Sequence, residues 1–226
     1  MDMNKRNDIN VLKDLAVAAG QAIMKVYETD FAVSRKTDDS PLTLADKIAN
    51  EIIVSGLRQA LPDYAILSEE SRDDLSRLHN EYCFIVDPLD GTHNFLRGIP
   101  HFCVSIAMLE GNEPVYGVIY DPLRNETFTA SKGDGAYLNE RRIRVSAREG
   151  LAGALLCTAF PYRQRRHLQP QIEMTQALLA SAEDIRRTGS AALDLAYVAC
   201  GRLDGYYETG LKVWDMAAGC LLVREA

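Results

Sequence analysis

The segment 85–92 reads Ile-Val-Asp-Pro-Leu-Asp-Gly-Thr, so an apolar run ends in two carboxylates three residues apart. Pro88 fixes its own φ, and Gly91 permits a tight turn. We therefore expect Asp87 at the end of a strand and Asp90 on the turn beyond it. Two carboxylates that converge at a strand end are costly unless a cation neutralises them. The chain must fold in a way that brings such a cation, or an equivalent neutralising group, to this turn.

Oxygen ligands favour a hard cation such as Mg²⁺. Thr92 adds a hydroxyl, and the backbone N–H groups of Gly91 and Thr92 can bind a phosphate. A helix that begins near Asn94 would direct its positive end at that phosphate. The alternative interpretation is a plain turn, because Asp, Pro and Gly are common in turns for local reasons.

Two further acidic segments favour a metal site over a plain turn. Glu69 and Glu70 follow a predicted strand at Tyr64–Leu67, so two more carboxylates emerge at a strand end. Asp215 opens a predicted helix, where an acid is also favourable on its own account. Three acidic strand or helix ends could supply a two-metal site for displacement at phosphorus.

Taken together, these segments resemble the inositol monophosphatase family, and most closely its bacterial branch. The matching segments occur in the same order as the family's motifs, and together they cover nearly the whole chain. The segments that carry it are Thr43-Leu44-Ala45-Asp46, Leu67-Ser68-Glu69-Glu70-Ser71, Asp87 to Thr92 with Asn94-Phe95, Arg187 to Ala196, Gly205-Tyr206-Tyr207-Glu208, and Trp214 to Gly219.

The resemblance implies an α/β (α+β) fold, a layered αβαβα sandwich of the inositol monophosphatase and fructose-1,6-bisphosphatase type. It also implies two or three Mg²⁺ ions, sensitivity to lithium and usually a homodimer; a cytoplasmic location is expected separately, from the lack of an apolar span or signal core in the sequence. The residues that it assigns to the first magnesium are Glu69, Asp87 and the carbonyl of Leu89. Those that it assigns to the second are Asp87, Asp90 and Asp215.

The resemblance assigns the remaining roles as well. Glu69 and Thr92 would orient the attacking water, and Asp46 would support Thr92. The phosphate would contact Asp90 and the N–H groups of Gly91 and Thr92. Glu208 would accept hydrogen bonds from hydroxyls of the substrate, near Gly189, Ser190 and Ala191. The implied reaction is attack by a magnesium-activated water on a phosphate ester, with no phosphoenzyme.

Two halves are predicted from the order of the expected strands and helices, which are closely spaced strands in the first half and alternating strands and helices in the second. Residues 1–145 would form an N-terminal α+β half that carries the metal-binding motifs, with helices at Ile9–Tyr27 and after Thr43, where Asp46 completes a capping box. Its closely spaced strands favour antiparallel pairing. Residues 146–226 would form an α/β half, with Ser190 capping one helix, and would lack the strand and helix with which family members usually continue.

Composition narrows the possible partners. The net charge of −7 disfavours nucleic acid as the main ligand. The sequence has no apolar run of the roughly 20 residues that a membrane span requires, and no apolar signal core follows the N-terminus. The five cysteines show no Cys-x-x-Cys spacing, which argues against zinc and redox sites.

Three functions remain open. The resemblance favours hydrolysis of inositol 1-phosphate or a similar polyol or sugar monophosphate, because residues 187–208 would line the alcohol side of the substrate. The segment 36–43 also resembles relatives that act on 3′-phosphoadenosine 5′-phosphate or histidinol phosphate. From another class, the chain could be a regulatory protein that binds a partner and keeps a residual phosphatase site, since some bacterial family members are associated with the transcription machinery.

Overall fold

The computed structural model describes residues 3–29, 33–35, 41–161 and 164–226. Its elements alternate in layers. Two helices cover one face of a seven-stranded sheet, and two more lie between that sheet and a smaller three-stranded sheet, whose far face carries one further helix. This is the αβαβα sandwich expected from the sequence.

The first layer holds α1 (Met3–Tyr27) and α2 (Leu44–Ala60), with the short antiparallel pair β1 (Val33–Arg35) and β2 (Pro41–Thr43) between them in sequence. Helix α2 begins with the predicted capping box. The Thr43 hydroxyl accepts from the N–H of Asp46 at 3.1 Å, and the Thr43 N–H donates to Asp46 Oδ2 at 2.8 Å. The box fixes Asp46 at the buried start of this helix.

Seven strands form the large sheet in the order of their sequence. They are β3 (Ala65–Ser68), β4 (Tyr82–Asp90), β5 (Cys103–Glu110), β6 (Glu113–Asp121), β7 (Glu126–Ser131), β8 (Gly135–Leu138) and β9 (Arg141–Arg142). From β4 onward each neighbouring pair is antiparallel, as the close spacing predicts. The expectation is wrong for β3, which pairs with β4 in parallel because the connection through the 3₁₀ helix Ser76–Leu78 is long enough to cross over.

Strand β4 is longer than the predicted Tyr82–Val86. It continues to Asp90, with an irregularity in its pairing to β5 between Asp87 and Asp90. The two acids therefore lie on one strand that is interrupted by a bulge. Such bulges re-aim side chains, and this one allows both carboxylates to serve one site. The short helix α3 (Thr92–Leu96) follows and begins at Thr92, two residues before the predicted start.

The remaining elements form the second half. Strands β10 (Leu155–Thr158), β11 (Asp184–Arg186) and β12 (Gly205–Tyr207) make a parallel sheet in the order β11-β10-β12. The helices are α4 (Leu168–Leu179), preceded by the 3₁₀ helix Arg165–His167, then α5 (Ala191–Ala199) and α6 (Val213–Glu225). Parallel strands separated by helices fit the predicted α/β half.

Two hydrophobic clusters hold the layers together. The first lies between α1, α2 and the large sheet, and includes Leu12, Ile53 and Phe84. The second lies on the opposite face of that sheet, where Ala107 and Phe128 share a cluster with residues of α5 and α6. The second cluster thus joins residues from both predicted halves. The boundary between residues 145 and 146 stays a prediction.

Two expectations from composition can be compared with the described residues. None of the helices described here is both long and apolar enough to cross a bilayer. All five cysteines are free thiols; Cys83, Cys103 and Cys157 are buried, and Cys200 and Cys220 are partly buried. Burial raises the pKa of each of these thiols, which keeps them protonated and poorly reactive.

Candidate functional site

The site is built around the end of β4, where Asp87 is 2% exposed. Its Oδ1 accepts a hydrogen bond of 3.1 Å from the N–H of Leu89, within the same turn. Glu69 follows β3 on the neighbouring strand, and its N–H donates to the carbonyl of Val86 at 3.0 Å. The parallel pairing of β3 and β4 therefore brings Glu69 to the same end of the sheet as Asp87.

Burial raises the pKa of Asp87 well above its ordinary value, because the charged form loses hydration. Neighbouring negative charges raise it further. They belong, in order of size, to Glu69, Asp90, Asp215 and Asp46. The structure therefore brings together the five acids that the resemblance assigned to the metals and the attacking water, close enough for their charges to repel one another.

Asp90 is held by the start of α5. Its Oδ2 accepts hydrogen bonds of 2.7 Å from the hydroxyl of Ser190 and from the N–H of Ala192. Burial, followed by the charge of Asp215, raises the pKa of Asp90 well above its ordinary value, and the two hydrogen bonds oppose this shift. Ser190 does precede the helix, but its side chain makes no capping hydrogen bond there. The expected local cap is wrong, because Asp90 accepts from the helix N–H instead.

Asp215 lies in the first turn of α6, as predicted. Its Oδ2 accepts a hydrogen bond of 2.6 Å from the N–H of Lys212, just before the helix. Its charge acts on both Asp87 and Asp90. Helix α6 packs on the large sheet through residues such as Ala218, which leaves its N-terminal end beside the turn of β4.

Thr92 is the first residue of α3. Its Oγ1 lies 3.1 Å from the carbonyl oxygen of Leu89 and 3.4 Å from Asp46 Oδ1, and it can donate to either. Gly91, directly before it, has φ of +95°. A Cβ at Gly91 would lie 3.0 Å from the carbonyl oxygen of His101, so both the backbone angle and the space require glycine.

The residues present fit Mg²⁺ by their chemistry. They offer carboxylate and carbonyl oxygens, they are largely buried, and the main influences on the Asp87 pKa include no cationic side chain of the described chain. As placed, no three His, Cys, Asp or Glu side chains among the described residues form a ready metal site. Asp87, Asp90 and Asp215 each accept a hydrogen bond from a backbone N–H through one carboxylate oxygen.

The expected alcohol side lies next to Asp90. Gly189 has φ of +94°, Ser190 contacts Asp90, and Ala191 begins α5. Glu208 follows β12 and accepts a hydrogen bond from the hydroxyl of Tyr206. Burial raises the pKa of Glu208, an effect that this hydrogen bond opposes. Both residues line a mainly apolar recess of about 280 Å³ beside α4 and α6.

Sequence reasoning missed Asn50, which holds the turn that carries Glu69. Its Oδ1 accepts from the Ser68 hydroxyl at 2.7 Å, and its Nδ2 donates to the Ser71 hydroxyl at 3.0 Å. Asn50 lies one helical turn after Asp46, on the same face of α2, which is the signal that could have identified it.

Some sequence features lie at the edge of the described chain. The segment 36–43 is described only from Pro41, so the part that resembles nucleotide and histidinol phosphatases lies outside the described residues.

Comparison with known proteins supports one family. The family model described as "Inositol monophosphatase family" matches residues 4–226. A protein of Xylella fastidiosa named Nus factor SuhB is 51% identical over 221 residues, which cover 96% of this chain and 79% of the relative.

Solved structures agree with this match. The structure titled extragenic suppressor protein suhB from Bartonella henselae has a TM-score of 0.92 at 43% identity, covering 97% of this chain and 85% of that one. An inositol monophosphatase from Anabaena has a TM-score of 0.85 at 37% identity, covering 100% and 82%. The αβαβα architecture described above is therefore shared with solved relatives.

Proposed function

The chain belongs to the inositol monophosphatase family, and we propose that it is a magnesium-dependent phosphomonoesterase. The observation that supports this most is the gathering of Glu69, Asp46 and Asp215 around Asp87 and Asp90 at one buried strand end. Such a cluster destabilises the fold unless a cation offsets its repulsion. A protein that keeps it at this cost has a use for the cation.

Glu69, Asp87, the carbonyl of Leu89, Asp90 and Asp215 would hold two or three Mg²⁺ ions. When bound, the ions would supply charge neutralisation at phosphorus and a lowered pKa for an attacking water. The residues of the chain do the positioning. The Thr92 hydroxyl donates to Leu89 or Asp46, so its oxygen can accept from the attacking water and orient it, together with Glu69. The N–H groups of Gly91 and Thr92 would bind the phosphate, next to Asp90.

The alcohol that leaves would contact Gly189, Ser190, Ala191 and Glu208. A half-buried carboxylate such as Glu208 favours substrates whose hydroxyls satisfy it and penalises those without them. We therefore propose inositol 1-phosphate or a similar polyol or sugar monophosphate as substrate. 3′-Phosphoadenosine 5′-phosphate and histidinol phosphate are the alternatives.

A phosphate-release panel tests this proposal. Inositol 1-phosphate, fructose 1,6-bisphosphate, 3′-phosphoadenosine 5′-phosphate and histidinol phosphate are compared with magnesium, with and without lithium. We expect the first to be turned over fastest and lithium to inhibit. Asp90→Asn should abolish turnover because it removes a charge from the metal site, whereas the exposed Asp184→Asn should not. Near-normal turnover by Asp90→Asn with ample magnesium would contradict the assignment of the site.

A second function is supported by the comparisons. Relatives named Nus factor SuhB, at 45–51% identity over about 96% of this chain, are more similar to it than the solved inositol monophosphatase at 37%. We therefore propose that this chain also binds the bacterial transcription machinery in the cytoplasm, as a regulatory protein that keeps a phosphatase site. The names of these relatives support this role better than they support any single substrate.

Co-elution of the purified chain with RNA polymerase and Nus factors from the same organism tests the second function. We expect a stoichiometric complex that Asp90→Asn leaves intact, since that substitution lies inside the phosphatase site. Absence of any complex, with full phosphatase activity, would leave the first function alone. A complex without phosphatase activity would instead support a purely regulatory protein.

We also propose that the chain forms a homodimer, as the family resemblance implies. Light scattering of the purified protein gives the mass directly. A value near twice 25.1 kDa is expected, and a monomer over the micromolar range would contradict it.

A further inference from the structure

Helix α3 and the segment that leads from it to β5 contact α5 and the segment before α5 at two points. The first is Asn94 of α3, whose Nδ2 donates to the carbonyl of His101 at 2.7 Å and to the carbonyl of Thr188 at 2.8 Å. One amide group thus joins two stretches that are far apart in sequence. The first stretch directly follows the turn expected to bind phosphate, and the second directly precedes the residues expected to face the alcohol.

The second point is the ring of His101. Its Nε2 lies 3.1 Å from Oδ1 of Asp194 on α5, and these residues are only 8% and 1% exposed. We assign Nε2 as the donor in this contact, because the Nε2–H tautomer pairs with a carboxylate oxygen, which accepts. The edge of the ring packs against Tyr197 at a centroid distance of 5.7 Å. Asp194 also accepts from the hydroxyl of Thr188, the residue just before Gly189.

The two glycines of the site pack against this connection. A Cβ at Gly91 would lie 3.0 Å from the carbonyl oxygen of His101, and a Cβ at Gly189 would lie 3.1 Å from Nδ2 of Asn94. His101 therefore contacts the phosphate turn through its backbone, and the alcohol side through its ring and Asp194.

We infer that His101 and Asp194 are a positioning pair, which sets the distance between the phosphate turn at Gly91–Thr92 and the alcohol-contacting segment Gly189–Ala191. The inference rests on the proposed phosphatase function. Neither residue touches the reacting atoms. Their effect is on selectivity, because a substrate bound at both ends requires the two segments at a fixed spacing, whereas a substrate bound only through its phosphate does not.

Core packing is the competing explanation for a buried His. It predicts that an apolar ring of similar size replaces His101 with no change in catalysis per folded molecule. The positioning role predicts a different result, since His101→Phe keeps the volume but leaves Asp194 without the ring N–H. Loss of a buried hydrogen bond to a charged group corresponds to about a tenfold to hundredfold change in an equilibrium constant.

The kinetic test uses two phosphate esters with the wild-type protein, His101→Phe and His101→Gln. Inositol 1-phosphate presents hydroxyls to the alcohol side, and para-nitrophenyl phosphate does not. We expect His101→Phe to lower kcat/KM for inositol 1-phosphate about tenfold to a hundredfold, and for para-nitrophenyl phosphate less than about threefold. His101→Gln, which can donate from its amide, should recover most of the loss.

The control is Ile23→Val, which removes a buried methyl group from α1, outside residues 91–97 and 187–194, and destabilises the fold. It should leave the ratio of the two kcat/KM values unchanged. Equal losses on both substrates, or no loss with His101→Phe, would overturn the inference.

Amide hydrogen–deuterium exchange tests the same pair without requiring catalysis. In His101→Phe, exchange should rise together in residues 91–97 and 187–194 while α1 and α2 keep their protection. An increase in neither segment, or a general increase throughout the chain, would also overturn the inference. If the wild-type protein hydrolyses neither ester, the proposed function fails, and the exchange result still decides whether the pair couples the two segments.

Discussion

Asp90 caps helix α5 from a distance of 102 residues in sequence, since its Oδ2 accepts the N–H of Ala192 at 2.7 Å. The same oxygen accepts from the hydroxyl of Ser190, the residue placed to cap this helix locally. A proposed metal ligand thus also fixes the start of the helix beside the expected alcohol site. Binding of a cation by Asp90 would affect Ser190 and Ala192 through these two hydrogen bonds.

The pH dependence of stability should reveal the repulsion around Asp87. Its pKa is raised well above 3.8 in the folded protein, first by burial and then by the charge of Glu69. A raised pKa means that the folded state binds the proton more tightly than the unfolded state. The stability that this carboxyl contributes is therefore complete below about pH 4 and is lost as the pH rises through the folded-state pKa.

Asp87→Asn removes this dependence, because the amide does not titrate. Without magnesium, the free energy of unfolding of the variant should increase relative to that of the wild type as the pH rises from 4 to 8. The increase should be about 1.4 kcal/mol for each unit by which the folded-state pKa of Asp87 is raised. Thermal unfolding in EDTA measures the difference. Asp184→Asn serves as control, because Arg186 lowers the pKa of Asp184 and the trend should not favour that variant. A difference that stays constant with pH would contradict the prediction.

Gly91→Ala should cost both stability and activity. The left-handed backbone costs about 1–2 kcal/mol for a residue with a Cβ. The new methyl group would also press on the His101 carbonyl and on Phe102, so the turn that carries Asp90 must shift. We expect kcat to fall at least about tenfold, measured by phosphate release.

Gly111→Ala is the matched control for Gly91→Ala. Its φ of +61° brings a similar backbone cost, but nothing lies within 4 Å of the new Cβ. Its stability should fall about as much from the backbone alone, and its turnover should not change. Equal turnover of both variants would show that the contact with His101 does not hold the turn.

Asn50→Ala should weaken the turn that carries Glu69. Without the amide, Ser68 and Ser71 lose their shared partner on α2, so Glu69 samples more orientations. We expect the magnesium concentration for half-maximal turnover to rise several-fold, as is typical when a residue supporting a metal ligand is removed. Asn80→Ala is the control. It removes an amide that bonds Asp63 and Tyr82 elsewhere, and should lower stability without altering the magnesium dependence.

Arg202→Lys should destabilise the fold by about 1 kcal/mol. Its guanidinium donates to both oxygens of Glu126 and lies 4.7 Å from the ring centroid of Tyr197, a geometry that an ammonium group does not reproduce. In contrast, Arg224 is 3.6 Å from Glu113 in a well exposed pair, so Arg224→Lys should have no measurable effect. Urea unfolding of both variants provides the test.

Local signals in the sequence predicted many of the helices and strands. The capping box at Thr43 and Asp46 spans three residues, so its own chemistry specifies it, and the apolar run before Asp87 correctly gave a buried strand. The parallel pairing of β3 with β4 was not predictable from spacing alone, because the choice of partner strand depends on the whole sheet. The sequence does not predict the short strands β8 and β9, because they have only four and two residues and follow a Gly-rich turn at 133–135.

The site shows the same division. The acids that converge near Asp87 could be named from the sequence, because each follows a strand or opens a helix. Their binding of Mg²⁺ stays a prediction. The contact of Asp90 with α5 depends on tertiary packing, so no local pattern predicted it. The spacing of Asn50 from Asp46 could have identified Asn50, but its hydrogen bond with Ser68 depends on how α2 packs beside β3.

The packing of α5 and α6 on the large sheet has a consequence for synthesis of the protein. Strands β3 to β9 leave the ribosome before α5 and α6. The apolar face of the sheet that includes Ala107 and Phe128 is therefore exposed to solvent while the following residues are translated. A nascent chain with such an apolar face is prone to misassembly and is a natural client for chaperones. Slow translation between β9 and α6 would prolong this exposure, and the yield of native protein would depend on how quickly α6 is translated.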